Sequence, residues 1–403
     1  MARFIFPRVT KGNRGDIASR WGLLHGLHKA GVRDAVVYYN LPADIPLPAL
    51  ASFRYLPLRQ MQLHLGRDKA EQGVDTVIWS VGLDLQDDSS LIKLILLWGR
   101  FWLYRRMGFR IWMVFQGAGP LTTPFGKWLA KRVLGQADLF VARDFGSHEL
   151  VGQLNPRIKR LLAHDAIFMP DMEPDLADID PRESELLAGL FDEKQGPVIG
   201  LNIRLWFHFA SNLLPFQLAK QQYLERSSEK MDALVASASK FVKILREEHN
   251  ARIVLVSAYQ PGVVPWEDDQ PWLEKIKQGF ADDPDVVSLN DPLSMPAYFM
   301  LMKKLDLVVG MRLHTCLIAL RFGTPAINLN YTLKGKDILS HLGLAENTFE
   351  LDDFMQAPAI VSQRIKTVLD GRAAEKLKIE RAVQAAIERN MVVLASLVTA
   401  HED

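Results

Sequence analysis

The chain has 403 residues, 48% of them apolar and 24% charged, with a formal net charge of +1. That length exceeds one ordinary compact core and predicts two or three globular domains, while the even charge balance excludes the strongly basic profile of a nucleic-acid-binding protein. A single cysteine, Cys316, excludes an intrachain disulfide framework and fits a reducing compartment.

The first residues, Met-Ala-Arg-Phe-Ile-Phe-Pro-Arg, hold an apolar run too short for a signal-peptide core. Residues 3–6 read as a first strand, followed by the loop Lys11-Gly12-Asn13-Arg14-Gly15-Asp16 and a helix over 17–30. Residues 35–39, 76–79, 110–115 and 139–141 read as further strands, with helices over 91–104 and 126–134 between them. This βαβα alternation predicts a parallel sheet with helices on both faces. No apolar stretch reaches the ~18 residues of a membrane span. Residues 91–101 come nearest, but Lys93 and Arg100 interrupt them. The expectation is a cytoplasmic protein.

From 170 to 193 the composition turns acidic and proline-rich, which suits an exposed linker. A second α/β half follows, with strands over 198–203, 253–256, 307–309 and 326–329 and helices over 230–248 and 315–322. The tail, 373–397, reads as one amphipathic helix. The predicted organisation is therefore an N-terminal Rossmann-like domain (1–170), a linker (171–195), a C-terminal Rossmann-like domain (196–372) and a C-terminal helix (373–403). Two doubly wound domains in tandem imply a cleft, with ligands beyond the carboxyl ends of the strands.

Four loops leave strands with chemistry to offer. Gly12-Asn13-Arg14-Gly15-Asp16 is either an anion-binding turn or a plain turn with Asp16 capping the helix. Gln116-Gly117-Ala118-Gly119-Pro120 lacks the third glycine of a dinucleotide fingerprint and is equally a turn or a ligand loop. Arg143-Asp144 ends a strand, where an arginine fork suits a carboxylate or phosphate and a surface ion pair is the plainer alternative. Gly310-Met311-Arg312-Leu313-His314-Thr315 is the richest. It sets Arg312 and His314 at a helix N-terminus, with Lys334 on the loop after the next strand. No His/Cys cluster has metal-ligand spacing. Residues 91–106 mix aromatic and basic side chains; such a helix is either a core or interdomain helix or one that lies on an anionic membrane.

Taken together, Gly12-Asn13-x-Gly15-Asp16, Gln116-Gly117-x-Gly119-Pro120, Arg143-Asp144, Gly310-x-Arg312-Leu313-His314 and the segment from Gly323-Thr324-Pro325 through Tyr331 and Lys334 resemble the polysaccharide pyruvyl transferase family. The resemblance implies a GT-B-like fold, phosphoenolpyruvate as donor, and a saccharide acceptor of a bacterial cell-surface polysaccharide or its precursor, free or lipid-linked. It implies no cofactor and no metal. It sets Arg143, Arg312, Leu313, His314 and Lys334 around the donor, with His314 as general acid. Arg204, at the end of the strand over 198–203, is a further candidate anion contact. Asn13, Asp16, Gly117, Gly119 and Asp87 are acceptor-side or loop candidates, and Asp16 and Asp87 are the two candidate bases. Family members often carry a run of glycines where this chain reads Ser80-Val81-Gly82-Leu83-Asp84-Leu85-Gln86-Asp87. That departure fits a different acceptor or a non-catalytic binding relative. A glycosyltransferase using a nucleotide sugar would share the fold.

Overall fold

A computed structural model of the chain describes residues 4–60, 75–80, 82–88, 90–192, 196–205, 220–260, 267–289 and 292–402. The first half alternates β1 (Phe4–Phe6), α1 (Arg14–Lys29), β2 (Ala35–Tyr39), β3 (Phe53–Pro57), β4 (Thr76–Ser80), β5 (Leu83–Leu85), α2 (Leu91–Arg106), β6 (Arg110–Ala118), α3 (Pro124–Leu134), β7 (Leu139–Ala142), α4 (Phe145–Leu154) and β8 (Lys159–Leu162). The strands pair in parallel in the order β3-β2-β1-β4-β6-β7-β8, with β5 added to β6 off that path. After α5 (Pro181–Phe191) the second half runs β9 (Val198–Asn202), α6 (Lys220–His249), β10 (Arg252–Leu255), α7 (Gln270–Gln278), β11 (Val286–Ser288), α8 (Met295–Lys304), β12 (Leu307–Gly310), α9 (Leu313–Arg321), β13 (Ala326–Asn330), α10 (Leu333–His341) and β14 (Thr348–Glu350). Its sheet is also parallel, in the order β11-β10-β9-β12-β13-β14. Helices α11 (Leu351–Gln356), α12 (Ala359–Asp370) and α13 (Arg372–Glu402) close the chain.

The strands form where apolar runs are buried on both faces, as in the fully buried β4, β9 and β13. Chain order reverses at β1, between β2 and β4, and again at β9, between β10 and β12. Such switch points open crevices beyond the carboxyl ends of the strands. The loops after β1 and β12 lie at these crevices, and they carry Arg14-Gly15 and Arg312-Leu313-His314.

Each sheet has its own buried cluster on its outer side. A third cluster joins the two halves, running from Phe4 and Ile17 through Phe168 and Met169 to Phe299, Leu317 and Leu394. The segment expected as an exposed linker takes part in it. Met172 and Ile179 are buried, and Leu187 and Leu190 of α5 face the core. The prolines there punctuate structure rather than loosen it: Asp180 caps α5 and Pro181 fills its first turn. Glu183 then accepts hydrogen bonds from the Ser294 amide and hydroxyl, and Arg321 donates to the Met169 carbonyl.

Helix α13 returns to the first half. Buried Asn390 accepts from the His164 amide at 2.8 Å and donates to the carbonyls of Asp165 and Phe168 at 3.1 and 2.9 Å. Replacing Asn390 with Ala strands three buried backbone groups, so Asn390→Ala is expected to lower unfolding stability by about 2–4 kcal/mol in denaturant titration; a change below about 0.5 kcal/mol would show that this crossing carries no load.

Candidate active site

The two switch-point loops touch each other. Asn13 caps α1 by accepting from the Gly15 amide at 2.9 Å, so the cap is three residues earlier than expected and Asp16 lies half-buried in the first turn. Arg14 and Gln260 donate backbone hydrogen bonds to Ala258 and Gly12, and the Tyr259 hydroxyl donates to the Lys11 carbonyl. The glycine loop is thus stitched to the loop after β10. Gly15 has a packing reason of its own. A methyl group there would overlap Cβ and Cγ of His314, so α1 and α9 approach this closely only over glycine.

His314, in the first turn of α9, is 16% exposed, and its Nε2 lies 3.4 Å from Asp165 Oδ2 and 3.4 Å from Arg143 Nη1. Arg143 Nη1 donates to Asp165 Oδ2 at 2.8 Å, and Ser19 of α1 donates to Asp165 Oδ1 at 2.6 Å. Asp165 is fully buried. Burial opposes its charge, but the Arg143 guanidinium, then His314 and Ser19, hold its carboxyl well below the usual range. A cation from just after β7, an imidazole from α9 and a carboxylate from the segment after β8 thus converge where the halves meet. Arg143 Nε is buried without a hydrogen-bond partner, which leaves the fork able to take another acceptor. Gly117 lets that fork lie flat, because a Cβ there would reach 3.4 Å from Arg143 Nε.

The other expected residues fall elsewhere. Arg312 caps α9 by position, but its guanidinium turns away into a bidentate pair with buried Asp269, with Nε and Nη2 at 2.8 Å, and lies over the Tyr259 ring. Arg312 is held charged by Asp269 despite its burial. Arg312 thus braces the loop through Asp269. Leu313 opens α9 and is partly exposed. Lys334 is the second residue of α10, and its side chain lies outside the described residues. Arg204 donates to the Tyr331 hydroxyl at 2.8 Å and lies over that ring.

Asp87 is not placed as a base. Its two oxygens accept from the amides and hydroxyls of Thr122 and Thr123 at 2.6–3.1 Å, and these donors outweigh burial to keep its carboxyl below the ordinary range. Thr123 in turn caps α3. Gln116-Gly117-Ala118 is strand rather than loop, because β5 pairs with it at Leu83 and Leu85. Gly119 then turns with φ +82. Asp144 does not pair with Arg143; it caps α4, accepting from the Ser147 amide at 2.7 Å. The altered loop is drawn in by Arg8, which pairs with Asp84 at 2.8 Å and occupies the space a Cβ on Gly82 would need.

Sequence reasoning missed Asp165, Asp269 and Ser19. Asp165 had a faint signal, an acid in the otherwise apolar run Ala163-His164-Asp165-Ala166-Ile167-Phe168. Beside it, His164 stacks on His341 with ring centroids 4.0 Å apart.

Two parallel α/β halves facing one another across this cluster define a two-domain GT-B-like architecture. Solved structures agree in fold. UDP-GlcNAc 2-epimerase from Methanocaldococcus jannaschii superposes with TM-score 0.59 at 10% identity, covering 99% of this chain and 100% of that one. Alr3699/HepE from Anabaena, in complex with UDP-glucose, gives TM-score 0.55 at 13% identity and 99% coverage of both chains. The chain belongs to the polysaccharide pyruvyl transferase family, whose model matches residues 13–332. A stretch of 78 residues is 33% identical to the amylovoran biosynthesis protein AmsJ of Erwinia amylovora, spanning 19% of this chain and 18% of that relative.

Two outcomes are expected. Gly15→Ala must part α1 from α9, so turnover should fall by at least about tenfold with His314 itself intact; unchanged turnover would mean the contact does not position the imidazole. For His164, burial first, then His341 and Arg389, push the pKa from 6.5 down to about 4. The unfolded chain takes up this proton below pH 6.5 and the folded chain only near 4, so stability is lost as pH falls through that window, by on the order of 2 kcal/mol. The melting temperature should drop over that range in the wild type and drop less in His164→Phe; identical slopes would remove His164 from the effect.

Proposed function

We propose that the protein transfers pyruvate as a ketal from phosphoenolpyruvate to a saccharide of a bacterial cell-surface polysaccharide or its precursor. The observation that carries this reading is the juxtaposition of Arg143 and His314 over buried Asp165. Phosphoenolpyruvate presents a carboxylate and a phosphate beside an electron-rich methylene. The open Nε of the Arg143 fork suits one of those anions. Arg204, just after β9, and Lys334, in the first turn of α10, are further cations for the other.

In this reading protonated His314 gives its proton to the methylene carbon, with Asp165 Oδ2 3.4 Å from its Nε2 to hold the ring in place. One sugar hydroxyl adds to the adjacent carbon, a second hydroxyl displaces phosphate at that carbon, and the ring closes as a ketal. Two hydroxyl protons are released; one restores His314 and the other leaves with phosphate. Arg143 stabilises the charge on the departing group. No cofactor enters this scheme. Arg312 contributes indirectly, by fixing the α9 N-terminus through Asp269.

Thermal shift with phosphoenolpyruvate, phosphate, pyruvate and a panel of nucleotide sugars tests the donor, because a ligand of the folded state raises the melting temperature. Phosphoenolpyruvate should stabilise the wild type and His314→Ala, and Arg143→Ala should lose the shift. Turnover of His314→Ala should fall by roughly 10²–10⁴-fold. Stabilisation by a nucleotide sugar and not by phosphoenolpyruvate would replace this reading with glycosyl transfer.

A further inference from the structure

Helices α2 and α3 pack side by side on the outer flank of the first sheet. The inner side of α2, with Leu94, Leu97, Phe101 and Tyr104, is buried in the core. Its outer side is apolar as well. Ile95, Leu96, Trp102 and Leu103 are exposed, Leu96 at 64% and Trp102 at 48%, and so are Phe125 and Trp128 of α3. Ile95 and Trp102 lie seven residues apart, as do Leu96 and Leu103, so the four share one helix face. Trp98 joins the helices, with its ring 5.9 Å from that of Trp128, and Phe125 stacks on Trp128 at 5.6 Å. A monomer rarely leaves such a continuous apolar face uncovered.

The charged side chains of the two helices are all basic. Neither helix contains an Asp or Glu. Arg105 is satisfied within the molecule by Asp138 and Arg100 lies over Trp79. The rest point outward: Arg106 lies over the Trp102 ring, Arg132 over that of Trp128, and Lys127 and Lys131 are exposed. A second copy of the face would set these same basic groups against each other. Among the described residues no helix is long and apolar enough to cross a membrane, so contact with a bilayer would run along the helices rather than through it. Lys93, in the first turn of α2, lies within electrostatic reach of Lys11 and of the acidic Glu267, Asp84 and Asp88.

We propose that this face docks the protein on an anionic phospholipid surface. The rings of Trp102, Phe125 and Trp128 sit at headgroup depth, and the basic side chains beside them meet lipid phosphates. The proposal is independent of the transfer chemistry, and a docked orientation would hold the cleft beside any acceptor carried on a lipid.

Vesicle flotation tests it, with phosphatidylglycerol mixed into phosphatidylcholine against phosphatidylcholine alone. The wild type should float with the anionic vesicles, and roughly tenfold less should float with phosphatidylcholine alone or in about 1 M salt. The double variant Trp102→Glu/Trp128→Glu should stay at the bottom of the gradient with unchanged melting temperature. If that variant misfolds, Lys127→Glu/Lys131→Glu, confined to exposed positions, should show the same loss. Wild-type protein remaining in the lipid-free fraction with anionic vesicles overturns the proposal. So does equal flotation with both lipids, or a dimer in sedimentation that the Trp variant converts to monomer.

Discussion

The buried carboxylate of Asp165 is the interaction on which the centre of the molecule depends. Its side chain holds Ser19 from α1, Arg143 from just after β7 and His314 from α9, while its backbone carbonyl receives Asn390 from α13. A carboxylate without water needs such partners, since an unpaired buried charge costs several kcal/mol. The need is mutual: Arg143 and His314 are kept in place by the same anion. Four distant parts of the chain are therefore registered against one another by one residue.

Asp269 does the equivalent work in the second half. It takes Arg312 from the β12–α9 turn, Asn202 from the end of β9, and the amide of Ala258. The loop after β10 is then fastened to the glycine loop through Tyr259 and Gln260. The result is a rigid floor beneath His314, with its hydrogen bonds made among protein groups. Arginines 143 and 312 have the same burial and the same kind of partner, and Arg143 keeps a buried Nε without a hydrogen-bond partner.

Much of the fold was legible because apolar runs mark central strands: 35–39 is matched residue for residue, and β4, β9, β12 and β13 to within one or two. Strands at or near sheet edges were missed. β8 opens with Lys159 and Arg160, and β3, β11 and β14 are short or half exposed, so their formation depends on a neighbour that sequence alone does not display. The site was legible where glycine and a charged residue follow a strand. Arg143 and His314 came together across 171 positions of sequence. What stayed hidden was the partner of each charge. Arg312, expected at the donor, has its partner 43 residues earlier in an acidic stretch, and Asp87, a candidate base, is saturated by threonines 35 and 36 residues on. Local pattern reveals a side chain's type and position in an element, whereas pairing over such separations is decided by packing.

The return of α13 has a mechanical corollary. The two halves are joined by the segment from 163 to 183, and a second time by α13, whose Asn390 grips that same segment at His164, Asp165 and Phe168. Two ties placed together act as a pivot, and in any rotation displacement grows with distance from the axis. His314, resting on Asp165, sits close to that axis. Opening of the cleft would swing the far rims of both sheets while translating the imidazole least. The Asp165 cluster can thus stay assembled while the rims move apart.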